Sequence, residues 1–194
     1  MQAPMDIFAE WFAEAKEHEV SDPNAVSVAT VDKNMLPNVR ILLMKGYDAR
    51  GFVIYTNYNS QKGQELTANP KVGLCFHWKS ILKQVRIRGE VEKLSNKEST
   101  SYFHSRDRLS QIGAWVSDQS RELHSRENML EKLEDIQKKF ADNDIIPKPD
   151  YWGGYLIKPL EIEFWRNGSY RLHDRLVFTR NNFVDQWASK LLYP

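Results

Sequence analysis

The sequence predicts an α+β fold with an antiparallel β-barrel at its centre and helices around it. Three observations carry this. After one amphipathic stretch, 5–19, the apolar period changes from helical to alternating, and short alternating runs then recur between turn residues. A helix-period stretch, about 95–141, is inserted into that series. Strands resume at 152 and run nearly to the C-terminus, so the Pro-containing segment 142–150 reads as a loop and 1–194 as a single domain.

In the first helix Ile7, Phe8, Trp11, Phe12 and Ala15 form the apolar stripe, with Glu10, Glu14, Lys16 and Glu17 elsewhere. Strands follow at 25–31, 38–45 and 51–56, separated by turns at Asp32-Lys33-Asn34 and Asp48-Ala49-Arg50-Gly51. Ser60 caps a short helix through Ala68, which Asn69-Pro70 stops. Two more strands, 72–78 and 82–94, precede Ser95-Asn96-Lys97-Glu98, a capping box with Ser at the N-cap and Glu at N3. If the helix that follows persists, Tyr102, Arg106 and Ser110 share one face at i, i+4, i+8. Ser117–Ser120 breaks it, and Ser125 caps another helix to about Ala141, with Met129, Leu130, Leu133, Ile136 and Phe140 as its stripe. The last strands are expected at 152–157, 160–166, 170–178 and 186–191, with a tight hairpin at Asn167-Gly168, a dipeptide that tolerates positive φ.

Composition narrows the function. The 27 basic and 26 acidic residues nearly cancel, so nothing favours nucleic acid as a partner. No apolar run reaches a bilayer span and no secretory signal pattern opens the chain, which makes the cytoplasm the expected compartment. The single cysteine, Cys75, excludes an intrachain disulfide and a Cys-cluster zinc site, and no metal is expected; His18, His77, His104 and His124 have no metal partners at ligand spacing. Gly-rich dinucleotide, P-loop, HExxH and GxSxG motifs are missing, so a phosphate ligand would be held by side chains.

Two groups mix cations with hydroxyls as a phosphate monoester requires: Arg40, Thr56 and Lys62 with Ser60 and Gln61, and Lys45 with Tyr102, Arg106 and Ser110. In a regular strand Arg40 and Lys45 point to opposite faces and serve different phosphates. In the strand expected after Gly168, Arg171, His173 and Arg175 share one face, with Leu172 and Asp174 on the other. Singly, each would be an ordinary surface side chain; two guanidiniums flanking an imidazole beside Trp165 point to a bound anion.

The set of motifs resembles one family. The matching blocks are Arg40-Ile41-Leu42-Leu43-Met44-Lys45, Tyr55-Thr56-Asn57, Gln61-Lys62-Gly63, Gln84-Val85-Arg86, Tyr102-Phe103 with Arg106, Ser110 to Trp115, Gln119-Ser120, Tyr151 to Tyr155, Glu163-Phe164-Trp165, and Arg171-Leu172-His173-Asp174-Arg175. In this order they resemble the pyridoxine/pyridoxamine 5′-phosphate oxidases across most of the chain. The resemblance implies an FMN-binding split β-barrel, a homodimer with FMN at the subunit interface. It implies that Arg40, Gln61 and Lys62 hold the FMN phosphate. Ile41, Leu42, Leu43, Met44, Lys45, Tyr55 and Thr56 would line the ring and ribityl chain, and Gln84, Gln119, Ser120, Trp165 and Arg175 would complete the flavin site. Lys45, Tyr102, Arg106 and Ser110 would hold the substrate phosphate, with Arg171, Leu172 and His173 at the substrate ring and Arg171 and His173 as the catalytic pair.

The implied reaction is oxidation of pyridoxine 5′-phosphate or pyridoxamine 5′-phosphate to pyridoxal 5′-phosphate. A hydride equivalent leaves C4′ for the flavin, dioxygen is the acceptor, and hydrogen peroxide is released, with ammonia from the amine. Two departures from the family pattern stand out. Gln61 occupies a position where similar proteins commonly have Arg, and the chain begins close to its first helix where they often carry a longer arm that can close over the substrate. Two other readings stay open on sequence: a split-barrel reductase with another substrate, and a non-catalytic carrier of FMN or pyridoxal 5′-phosphate.

Overall fold

The computed structural model describes residues 2–194. Its elements are α1 (Pro4–His18), β1 (Ala25–Val31), β2 (Pro37–Leu43), β3 (Gly46–Asp48), β4 (Gly51–Asn57), α2 (Gln61–Ala68), β5 (Lys71–Trp78), β6 (Lys83–Lys93), α3 (Asn96–Ser105), α4 (Arg108–Val116), α5 (Arg126–Lys139), β7 (Trp152–Arg166), a 3₁₀ turn (Ser169–Arg171), β8 (Asp174–Thr179) and β9 (Ala188–Leu191). The strand pairings among the described residues are antiparallel, in the order β2-β1-β5-β6-β7-β4-β3, with β8 pairing β7 and β9. This is the α+β, antiparallel split barrel expected from the sequence.

β7 organises the sheet. It runs unbroken for 15 residues, where the sequence suggested two strands. One side pairs with β6 along its length. The other side pairs with β4 through Trp152–Ile157 and with β8 through Glu161–Arg166. Pro159, which has no N–H to donate, marks the change of partner, and the β6 ladder shifts register between Arg88 and Gly89 beside it. Gly89 is needed there: a Cβ would lie 2.1 Å from the Lys158 carbonyl oxygen. The short β3 fills the gap between the expected strand 38–45 and the turn expected at 48–51, overlapping that turn only at Asp48.

The core lies between the sheet and α1. Phe8, with no exposed surface, packs its ring against Tyr47, Phe52, Phe76 and Trp78. Burying one such ring stabilises the fold by roughly 1.5–3 kcal/mol. A second apolar cluster, Phe103, Ile112, Val116, Phe140, Ile146 and Trp152, joins α3, α4 and α5 to the start of β7. Among the described residues no helix is long and apolar enough to cross a membrane.

Candidate functional site

The candidate residues fall into three groups. The first lies where β4 hands over to α2. Ser60 caps α2 by accepting the Gly63 N–H. Lys62, the second residue of α2, is 6% exposed. Its Nζ donates to Gln119 Oε1 at 2.8 Å, Thr56 Oγ1 at 3.2 Å and Ser60 Oγ at 3.3 Å, and Thr56 donates to the same Gln119 oxygen. Among the described residues no carboxylate lies within ion-pair distance of Lys62. Burial, and then the Arg40 charge, push its ammonium down to about 8, with Glu65 pulling the other way.

Arg40, half-buried on β2, donates to Glu65 Oε2 at 3.2 Å, to the Val28 carbonyl and to Thr30. Glu65 also accepts from Thr30 and from Asn38. Burial opposes its ionisation, but the hydrogen bonds from Thr30 and Asn38, the Arg40 charge and the Gln61 side chain hold it below the usual carboxylate range. Two cations thus face one carboxylate in a buried corner at a helix N-terminus. That donor set, with a positive surplus and hydroxyls alongside, fits a phosphate monoester.

Gln61 is exposed, and its side chain, one turn ahead of Glu65 on α2, helps to hold that carboxylate below its usual range. It adds no charge to the corner. Replacing it with Arg would add a cation at this corner and is expected to tighten binding of a phosphorylated ligand about two- to fivefold, in line with one partly solvated ion pair. Equal dissociation constants in fluorescence-quenching titrations would contradict this.

The second group crosses β6, β7 and β8. Gln84, Trp165 and Arg175 lie opposite one another in register and therefore share a face. The strand expected at 170–178 begins only at Asp174, so Arg171 and His173 are not on it and do not share a strand face with Arg175. The chain instead turns through 167–173. Tyr170 (φ 54°) and Arg171 (φ 64°) are both left-handed, which an extended strand cannot contain. Gly168 is required, since a Cβ would meet the Leu172 carbonyl oxygen at 2.0 Å. The turn returns the His173 ring to 4.7 Å from the Trp165 ring. The Gly168 N–H donates to His173 Nδ1 at 3.3 Å, which places the proton of a neutral imidazole on Nε2. Arg171 and Leu172 are exposed.

The third group lies on the β7 end of the helical insertion. Tyr55 stacks on Tyr102 at 3.8 Å and on Trp152 at 5.3 Å. The Arg106 guanidinium sits 4.9 Å from the Trp152 ring centroid and 5.8 Å from Phe103. Its Nη1 is buried without a hydrogen-bond partner, and desolvation holds the group below its usual range. The single helical face expected for Tyr102, Arg106 and Ser110 does not form. Arg106 ends α3 in extended conformation, and Asp107 starts α4 by accepting the Ser110 N–H at 2.8 Å. Asp107 is a strong N-cap and competes with helix continuation.

The remaining candidates are dispersed. Arg40 lies within β2, but β2 ends at Leu43, so strand parity does not relate it to Lys45. Lys45 is exposed and lines a cleft of about 410 Å³ with Phe12, Lys16, Asn24 and Tyr47. Ile41 and Leu43 face outward, Leu42 is half-buried and Met44 is core. Ser120, left-handed at φ 68°, follows Gln119 along a cleft of about 470 Å³. Among the described residues no hydrogen bond or ion pair joins the three groups to one another. Two carboxylates that the sequence reading passed over, Glu65 and Glu163, hold candidate cations in place; the i, i+4 spacing of Gln61 and Glu65 was the available signal for the first.

Fold and site define a class first: an antiparallel split barrel with a buried cationic corner suited to a phosphorylated ligand. The comparisons narrow it. Residues 12–140 match the Pyridoxamine 5′-phosphate oxidase family, and residues 152–194 match the Pyridoxine 5′-phosphate oxidase C-terminal dimerisation region. Pyridoxine/pyridoxamine 5′-phosphate oxidases of Brucella ovis and Brucella canis are each 51% identical over 191 residues, 98% of this chain and 91% and 94% of theirs. PhzG from Burkholderia lata 383, solved in complex with tetrahydrophenazine-1-carboxylic acid, superposes with a TM-score of 0.92 at 28% identity, covering 100% of this chain and 94% of PhzG. A pyridoxamine 5′-phosphate oxidase-related, FMN-binding protein from Nostoc punctiforme shares the fold, with a TM-score of 0.78 at 15% identity over 100% and 98% of the two chains. The chain belongs to the pyridoxine/pyridoxamine 5′-phosphate oxidase family.

Proposed function

We propose that this chain is an FMN-dependent oxidase that converts pyridoxine 5′-phosphate or pyridoxamine 5′-phosphate to pyridoxal 5′-phosphate in vitamin B6 salvage. The observation that carries the proposal is the pair of desolvated cations in separate groups, Lys62 and Arg106, neither with a carboxylate within ion-pair distance. Two phosphate monoesters, one on the cofactor and one on the substrate, account for both. Flavin, when bound, supplies the acceptance of a hydride from C4′ of the substrate and its passage to dioxygen, with release of hydrogen peroxide.

The chain's own residues bind, orient and exclude water. Lys62 and Arg40, with Gln61 beside them, hold the FMN phosphate. Thr56 and Gln119 fix the Lys62 ammonium, and Tyr55, Gln84, Ser120, Trp165 and Arg175 complete the flavin site along with 41–45. Tyr102 and Arg106, joined by Lys45 and Ser110, hold the substrate phosphate. Arg171, Leu172 and His173 close over the substrate ring, where His173 presents an Nε2–H as hydrogen-bond donor. Exposed Val39, Ile41 and Leu43 along edge strand β2 favour a second copy as partner, as does the match of 152–194 to a dimerisation region. Such a homodimer would bring the three groups of two chains into shared sites, with FMN at the interface, in the cytoplasm.

The direct assay is aerobic turnover of pyridoxamine 5′-phosphate by the purified, FMN-loaded protein. Pyridoxal 5′-phosphate, ammonia and hydrogen peroxide are expected in equal amounts; flavin loading without any of the three would leave a carrier. A second reading is action on a carboxylic acid like the tetrahydrophenazine-1-carboxylic acid in the PhzG complex, which would also supply an anion for Arg106; turnover of pyridoxamine 5′-phosphate separates the two. Arg171→Ala is expected to cut turnover at least tenfold, about the loss of one charge-assisted contact, while FMN affinity stays within about twofold. The reverse pattern would place Arg171 at the cofactor rather than the substrate.

A further inference from the structure

Glu163, which holds Arg175 in place, is a carboxylate buried on the sheet face that carries Gln84, Trp165 and Arg175. It is 5% exposed in the middle of β7 and shares a face with Trp165, two residues on. Its two oxygens are divided between the flanking strands. Arg86 of β6, directly opposite in register, donates from Nη1 to Oε2 at 3.1 Å. Arg175 of β8 reaches diagonally from the position opposite Trp165 and donates from Nε to Oε1 at 2.8 Å.

Arg175 is anchored at a second point, where its Nη1 donates to the Tyr193 carbonyl at 3.0 Å. With Nε and Nη1 both engaged, the plane of the guanidinium is fixed and Nη2 is the edge left for a ligand. The Glu163 hydrogen bond also holds Arg175 above its usual range. One carboxylate between two guanidiniums leaves this triad with a surplus of one positive charge. On β5, the next strand of the same row, Cys75 adds a thiol whose proton burial retains.

We propose that Glu163 is a positioning residue that fixes Arg175 against the flavin ring and, by cancelling one of two guanidinium charges, sets the reduction potential of the bound cofactor. This rests on the flavin reading above. Reduced flavin carries more negative charge than oxidised flavin, so positive charge nearby favours the reduced form. Glu163→Gln keeps the shape and a hydrogen-bonding oxygen but raises the surplus from one to two. Arg86→Gln lowers it to zero. Arg86 is half-exposed, with 49% side-chain exposure, so this substitution disturbs little packing. A merely structural Glu163 would let both variants loosen the cofactor but would not move its potential in opposite directions.

The test is a dye-equilibrated reductive titration of the FMN-loaded wild type, Glu163→Gln and Arg86→Gln proteins. At a fixed potential, the ratio of reduced to oxidised flavin is expected to rise about three- to tenfold in Glu163→Gln. It is expected to fall by a similar factor in Arg86→Gln, as for one unit of charge changed beside the cofactor in a partly solvated medium. Unchanged ratios, or shifts of the same sign, overturn the proposal. If Glu163→Gln does not fold, Arg86→Gln decides alone: a fall supports the assignment and an unmoved ratio overturns it. A wild type that takes up no flavin would overturn the cofactor reading and this proposal together; flavin bound with unmoved potentials would overturn only the role of Glu163.

Discussion

Lys62→Met is expected to weaken FMN binding about tenfold to a hundredfold and to leave the apoprotein at least as stable as wild type. Both halves follow from one observation. Lys62 is 6% exposed and its three hydrogen bonds go to neutral oxygens of Thr56, Ser60 and Gln119. Without a phosphate, its charge is desolvated and uncompensated, so replacing it with an apolar chain of similar length removes a penalty. With a phosphate, the same ammonium makes a charge-assisted bond worth roughly 1.5–3 kcal/mol. Titration of the apoprotein with FMN, beside a thermal melt of each apoprotein, separates the two. Unchanged FMN affinity would remove Lys62 from the cofactor site, and a large drop in apoprotein melting temperature would make it a structural residue.

The same lysine sets a pH dependence. Its folded value, pushed down to about 8, lies below its ordinary 10.5. The unfolded chain therefore binds more protons between these values, and apoprotein stability gains from this group as pH rises from about 8 to 10.5. FMN binding runs the other way. It requires the protonated ammonium and is expected to weaken as pH rises above about 8, a dependence that Lys62→Met should lack.

Arg106→Gln is expected to raise KM for the phosphorylated substrate about tenfold to a hundredfold, the loss of one charge-assisted contact. The change in kcat should stay within a few-fold, and FMN affinity should be unchanged. Arg106 is held by ring faces rather than by an acid: Trp152 lies 4.9 Å away, and Nη1 has no acceptor. A guanidinium kept desolvated and unpaired in this way is poised for an anion. Lysine would not substitute well, because a compact ammonium cannot lie flat on Trp152. Parallel losses of substrate and FMN binding would show that Arg106 supports the fold around Trp152 rather than one phosphate.

The sequence was legible where a local signal decided the structure. β1, the Ser60-capped α2 and the Ser95/Glu98 capping box lie where the sequence reading placed them, because alternation and side-chain caps act over a few residues. It was misread where two local signals competed. Asp107 caps a new helix and ends the face shared by Tyr102, Arg106 and Ser110. The left-handed pair Tyr170 and Arg171 replaces a two-residue hairpin with a seven-residue turn, and neither residue type announces positive φ. Two strands were expected at 152–157 and 160–166, yet β7 runs on through Pro159, which sits where β7 exchanges β4 for β8. At the site, the cations were visible as residue types, but their carboxylate partners were not. Glu65 and Glu163 reach Arg40 and Arg175 across strands and helices that only the fold brings together.

The measurement that tests the central claim most directly is an anaerobic titration of the purified, FMN-loaded protein with pyridoxine 5′-phosphate, followed by visible flavin absorption. Bleaching by the substrate and recovery of colour on admitting air are the predicted result, establishing hydride transfer and dioxygen as acceptor in one experiment. Bound FMN that neither pyridoxine 5′-phosphate nor pyridoxamine 5′-phosphate can reduce would contradict the oxidase and leave a reductase of another substrate or a carrier.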